Sequence, residues 1–169
     1  MTKLTYYKNL SLSVISIALG LVIGFVNLNQ VNSGFPFKSD LVEKSGLVDW
    51  VQAHDYGIRF GFVNDPMNFN YPSKSNGQGI VEESLLKSKD QLVTILFEAS
   101  DTHSPIYSSN IYHNFFELKV NGLLVRSYEE SEQAWKSDNK LTPFIVALFL
   151  IGGTYIWRKT KKEYKYTQY

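Results

Sequence analysis

The chain has 169 residues, no cysteine, 15% aromatic residues, and 17 Lys+Arg against 16 Asp+Glu. That length holds one modest domain besides two stretches too apolar for a soluble surface, and the lack of cysteine excludes a disulfide framework, a thiolate zinc site, an iron–sulfur cluster, a cysteine nucleophile and a lipidated cysteine. The near-neutral total hides a segregation: residues 29–140 carry 10 basic and 15 acidic side chains, a net of 10 − 15 = −5, between basic ends, which disfavours nucleic-acid binding because phosphate contacts supply most non-specific affinity.

After a short tail, residues 1–9, with Lys3 and Lys8, the run "LSLSVISIALGLVIGFVNL" from Leu10 to Leu28 has no charge. At about 1.5 Å per residue it is long enough to cross a hydrocarbon core of roughly 30 Å. It exceeds the h-region of a signal peptide and is followed by no small-x-small cleavage site, so an uncleaved anchor is expected. Ser16, Gly20 and Gly24 recur every fourth residue and lie along one face, where small side chains let another helix approach. The partner on that face is either the second apolar segment, through Gly152 and Gly153, or a second copy of the chain.

Residues 29–140 read as a β-rich domain. "NLNQVNSGFPFKSD" is a polar connector, and "GLVDWVQA" and "YGIRFGFVN" are candidate strands around the turn "HDYG", the second with Ile58, Phe60 and Phe62 on one face and Arg59 and Gly61 on the other. "MNFNYP" is a short third strand, "IVEESLLKSKD" suits one or two helical turns, and "QLVTILFEA" is the most apolar strand. In "FFELKVNGLLVRS", Asn121-Gly122 is the dipeptide of a two-residue type I′ turn. Ser127 and Glu130 stand at capping-box spacing ahead of the helix "YEESEQAWKS". The expected fold is therefore α+β: two transmembrane helices flanking a small antiparallel β-barrel or β-sheet with two short helices. The domain's asparagines include no Asn-x-Ser/Thr acceptor, which leans towards a bacterial setting.

The second apolar segment, Leu141 to Trp157, opens with Thr142 placed to cap and Pro143 at the first helical position. Tyr155 and Trp157 fall where an interfacial aromatic belt would lie, and Arg158, Lys159, Lys161 and Lys162 follow at once in the basic tail 158–169. The positive-inside rule then puts both tails in the cytoplasm of an inner (plasma) membrane and the acidic domain outside it, periplasmic or extracellular, with the basic tail on anionic lipid headgroups.

Chemical motifs are sparse. There is no Gly-x-Ser-x-Gly, and His54, His103 and His113 stand on separate elements rather than one helical turn apart. "SNGQG" lacks the Lys-Ser/Thr of a phosphate-cradling loop. In "DTHSPIYSSNIYHNFFELKV", Asp101 and His103 read as solvent-facing turn residues. Strict alternation puts His113 with Phe115, Glu117 and Lys119 on a face turned away from the core. No cofactor, metal site, proton relay or ion pathway is implied.

The order of two spans around a β-rich loop domain, with "LVTILFE" running into "ASDTHSPIYSS", resembles a bacterial family of membrane proteins of unknown function. Its members follow such a strand with an acidic residue, a short turn and a proline, here Glu98, Asp101 and Pro105. The resemblance implies the fold class and lends no chemistry.

By elimination the expected function is non-enzymatic. The domain binds a protein partner, either as an immunity-type inhibitor of a toxin or as an accessory subunit of a membrane complex joined through Ser16, Gly20 and Gly24. The alternative is a small membrane-tethered hydrolase or metal-dependent enzyme using His103 or His113 with Asp101.

Overall fold

A computed structural model describes residues 2–104 and 110–166. Pro105, from the family-like motif, lies outside the described residues. The chain divides into two compact units: Met1–Ser33 with Asn139–Tyr169, and Gly34–Asp138.

In the first unit the apolar run is the middle of a longer helix, α1 (Lys3–Asn29), opened by Thr2, whose hydroxyl accepts from the Thr5 N–H at 3.2 Å. Its partner is the helix Thr142–Tyr166, which carries the basic tail onward in helical form. The Leu141 carbonyl receives the first helical bond there, from the Ile145 N–H, so Leu141 rather than Thr142 stands at the cap and Pro143 is one position further in. The two helices pack antiparallel: Tyr6 meets Tyr164, Ser13 and Ile17 meet Gly153, Gly20 meets Leu150, and Gly24 meets Val146. At the other end of the pair, Asn139 donates to the Ser33 carbonyl at 2.7 Å. Both apolar stretches are long and apolar enough to cross a membrane, by length and composition. Away from their shared seam they expose Leu21, Val22, Phe25, Phe144, Leu148 and Ile151.

The second unit is a seven-stranded sheet: β1 (Leu41–Gly46), β2 (Val48–His54), β3 (Gly57–Phe62), β4 (Asn68–Pro72), β5 (Val93–His103), β6 (Tyr112–Val120) and β7 (Leu123–Arg126). The helix α2 (Gln78–Lys87) lies between β4 and β5, and α3 (Tyr128–Asn139) follows β7. The C-terminal helix Thr142–Tyr166 is then α4.

The strand order is β1-β5-β6-β4-β3-β2, with β7 also paired to β6. All pairings are antiparallel except β4 with β6, so the sheet is mixed, not the purely antiparallel one that hairpin signals suggest. The connection through α2 and β5 is what lets β6 return beside β4 in the same direction. No ladder closes a barrel among the described residues. The two ends of the path, β1 and β2, are nevertheless consecutive, separated by Leu47 alone, so the sheet is bent round on itself. Strand β1 was hidden in sequence because "LVEKSG" follows the polar connector and exposes half of its residues.

Inside the curve, Ile58, Phe60, Phe62, Phe69, Tyr71, Val81, Leu85, Val93, Ile95, Phe97, Phe115 and Leu118 form the main core. Phe60 touches Phe62, Phe69 and Phe115 at ring-centroid distances of 5.1, 5.4 and 5.3 Å, edge-on or tilted arrangements that complement the ring quadrupoles. A smaller cluster of Phe35, Phe116 and Tyr128, with Trp135 against it, lies under α3. The capping box at α3 forms as the spacing predicts: the Glu130 N–H donates to Ser127 Oγ at 3.1 Å, and the Ser127 N–H to Glu130 Oε2 at 3.0 Å. Asn121 (φ 50°) and Gly122 (φ 77°) make the left-handed pair of the β6–β7 turn.

Two expectations about "DTHSPIYSSNIYHNFFELKV" are corrected. Asp101 and His103 are exposed, as expected, but they are not in a turn, because β5 runs on to His103 and resumes its pairing at Thr102–His113 and His103–Tyr112. His113 does not point away from the core. The ladder shifts register where Phe97 pairs Phe115 and Leu96 pairs Glu117, leaving Phe116 as an extra residue. That shift turns His113 and Phe115 to the same side as Leu118, and the His113 ring packs against Phe97 and Phe69 at 5.6 and 6.4 Å.

Candidate functional site: an arginine and two histidines on the outer face

The convex face of the sheet is built from the residues that alternate with the core. Cross-strand registers line up Gln52, Arg59, Asn70 and Asn114 in one row, and Trp50, Gly61, Asn68, Tyr112 and His103 in the next. Gly61 is required there, because a Cβ would run into the Trp50 indole lying across it. Asn70 is buried and donates to Asn114 Oδ1 at 2.9 Å, which knits the parallel pair β4–β6 together.

Arg59 is the only permanent cation in those two rows. Its guanidinium carbon sits 4.7 Å from the centroid of the Tyr112 ring, and Nη1 is 3.3 Å from Nε2 of His54. Its Nε is buried with no hydrogen-bond partner among the described residues. No carboxylate among those residues lies within ion-pair distance of it. His103 stacks beside Tyr112 at 6.1 Å. Although His103 is exposed, partial desolvation and then the Arg59 charge hold its imidazole below its ordinary range against the opposing pull of Asp101. Glu98 is displaced the other way: burial, then the charges of Asp101 and Asp40, push its carboxyl up.

The residues singled out in sequence do not meet at one point. Asp101 and His103 share the end of β5, whereas His113 is on the core side with its Nδ1–H donating to the Glu98 carbonyl at 3.2 Å. No group of three or more His, Asp or Glu among the described residues is arranged to hold a metal ion. Arg59, His54 and Tyr112 carried no motif. The available signal was Arg59 itself, the one charge on a strand whose other face is Ile58, Phe60 and Phe62.

In the helical unit, Ser16 Oγ donates to the Phe149 carbonyl at 2.9 Å. A Cβ at Gly20 would come to 3.0 Å from Leu150, one at Gly24 to 3.4 Å from Val146, and one at Gly153 to 2.7 Å from Ile17. Gly152 faces open space. Tyr155 is exposed, Trp157 is half-buried with the Lys161 ammonium 4.7 Å over its ring, and Lys159 approaches Glu163 at 3.9 Å. Arg158 and Lys162 are exposed beside them. Compared with known proteins, the chain matches no family model, no curated protein and no solved structure.

Proposed function

We propose that the protein is a membrane-anchored, non-enzymatic binding module of a bacterial inner membrane. Both tails are cytoplasmic, and the β-rich domain is held on the outer side to bind a protein partner. The observation that carries the reading is the antiparallel seam between α1 and α4. It brings the two tails to one end, where Lys3 and Lys8 join the five basic residues after Trp157, in keeping with cytoplasmic retention of Lys and Arg. The apolar side chains left outside the seam suit contact with lipid, since a soluble surface rarely carries so continuous an apolar area.

The same seam favours the domain over the helices as the binding part. Ser16, Gly20 and Gly24 are already covered by α4, so the small-residue face that would join an accessory subunit to a larger complex is occupied within the chain. An immunity-type role, in which the domain alone engages its partner, fits that arrangement. Within the alternative of a hydrolase using Asp101 with His103 or His113, the His113 form has less support, because that ring is on the core side, packed against Phe97 and bonded to the Glu98 carbonyl.

Photo-crosslinking in living cells tests this. A benzophenone side chain at exposed Tyr56 or Leu123 of the domain should capture a discrete protein, whereas one at Phe25 or Leu148 should capture lipid. Protein adducts formed only from α1 and α4 would overturn the assignment of binding to the domain.

A further inference from the structure

We propose that Arg59, with His54 beside it and His103 on the other side of Tyr112, is a binding site for a carboxylate group presented by the ligand. The domain holds two arginines, and they are treated differently. Arg126 donates to Tyr71 Oη at 3.1 Å, to the Ser75 carbonyl at 2.7 Å and to the Glu130 carbonyl at 3.2 Å, and it pairs with the Glu130 carboxylate at 3.7 Å. Arg59 is half-buried, yet among the described residues its side chain has one hydrogen-bond partner, the imidazole of His54, and one ring partner, the face of Tyr112. Carboxylates are not scarce, since residues 29–140 have 15 against 10 cations. A guanidinium remains protonated, and a partly desolvated one without a counter-charge favours an anion brought from outside.

The geometry suits a planar acceptor. The Tyr112 face fixes the plane of the guanidinium, which leaves the fork less conformational freedom to lose on binding. The His54 imidazole from β2 stands 3.3 Å from the guanidinium, and the His103 ring from β5 lies against the same Tyr112, so each can offer a ring N–H to a bound acceptor. One fixed cation matches the single charge of a carboxylate. A phosphate dianion would be left half compensated on a domain of net charge −5.

This site deepens the binding-module reading and rests on it, but the two fail separately. Crosslinking from Tyr56 and Leu123 detects a partner whatever Arg59 does, while anion binding is read at the histidine rings. The full chain, in nanodiscs of zwitterionic lipid and with ¹³C-labelled histidine, is titrated with acetate, with inorganic phosphate and with chloride at matched ionic strength. The expected result is a saturable shift of the His54 and His103 ring signals with acetate and an unmoved His113, which faces the core. Arg59→Gln should abolish the shift, and Arg59→Lys, which keeps the charge without the fork, should weaken binding about tenfold. An unmoved His113 signal reports that each variant is folded. If Arg59→Gln fails that check, Arg59→Lys and His54→Gln decide in its place. Absence of a saturable shift, an equal response to chloride, a shift that persists in Arg59→Gln, undiminished affinity in Arg59→Lys, or tighter binding of phosphate than of acetate would each overturn the assignment.

Discussion

The two compact units of this chain solve opposite packing problems. In the helical pair the close contacts are made by the smallest residues: Gly20 and Gly153 leave no room for a side chain, and Ser16 spans the seam with a hydrogen bond to a backbone carbonyl. In the sheet unit they are made by the largest: Phe60, Phe69, Phe115 and Tyr71 are essentially fully buried against one another. Under the proposed membrane placement, the difference follows from the surrounding solvent. In water, burying aromatic area drives folding at roughly 25 cal/mol per Å². Between helices in lipid that drive is absent, and association depends on backbone approach, van der Waals fit and a few hydrogen bonds.

Substitutions that damage one unit should therefore spare the other. The largest effect is expected for Phe60→Ala, which deletes a ring from the centre of the aromatic core and should destabilise the domain by about 3–5 kcal/mol. Near-ultraviolet circular dichroism during denaturant unfolding would measure the loss, with cross-linking of a Tyr6→Cys/Tyr164→Cys pair unaffected. Next is Gly153→Leu, which must displace Ile17 and should weaken the helix pair by about 1–3 kcal/mol. The same cross-linking assay should register that change, while Gly152→Leu, which enters open space, should behave as the parent. Ser127→Ala removes one half of the capping box and should cost the domain about 1 kcal/mol.

The smallest effect concerns pH. Burial acts to raise the pKa of Asp65, but the hydrogen bond from Lys44, the Met67 N–H and the Lys44 charge outweigh it, and the carboxyl titrates below its ordinary range. Folding thus lowers this pKa, so its contribution is fully present above the unfolded value of about 3.9 and is lost as the pH falls through the folded one. Asp65→Asn should destabilise the domain at neutral pH by about 1 kcal/mol or less, a difference that closes under acid. Glu98 has the opposite sign. Its pKa is raised, so the native state holds the extra proton, and stability falls as the pH rises through the interval above the ordinary carboxylate value. Glu98→Gln should flatten that slope in denaturation curves recorded across pH.

What sequence reasoning recovered was local. The apolar runs, the Asn121-Gly122 turn, the Ser127/Glu130 cap and the inward face of Ile58, Phe60 and Phe62 each depend on neighbours within a few positions, where periodicity and turn chemistry speak directly. The parallel pairing of β4 with β6 depends on where a distant strand returns, and no local pattern encodes it. The orientation of His113 was lost to a single extra residue at Phe116, since a bulge reverses the parity on which alternation relies. The Arg59 cluster draws on β2, β3, β5 and β6, so it was invisible until the sheet was assembled.

The central claim, a domain held outside a membrane by a helical hairpin with both tails inside, is open to one direct measurement because the chain has no cysteine of its own. Single cysteines at Lys3, Lys89 and Lys162 can be probed with a membrane-impermeant maleimide in intact cells and again after lysis. Labelling of Lys89→Cys before lysis, and of Lys3→Cys and Lys162→Cys only after it, is the predicted result. Labelling of either tail in intact cells, or protection of Lys89→Cys, would contradict it.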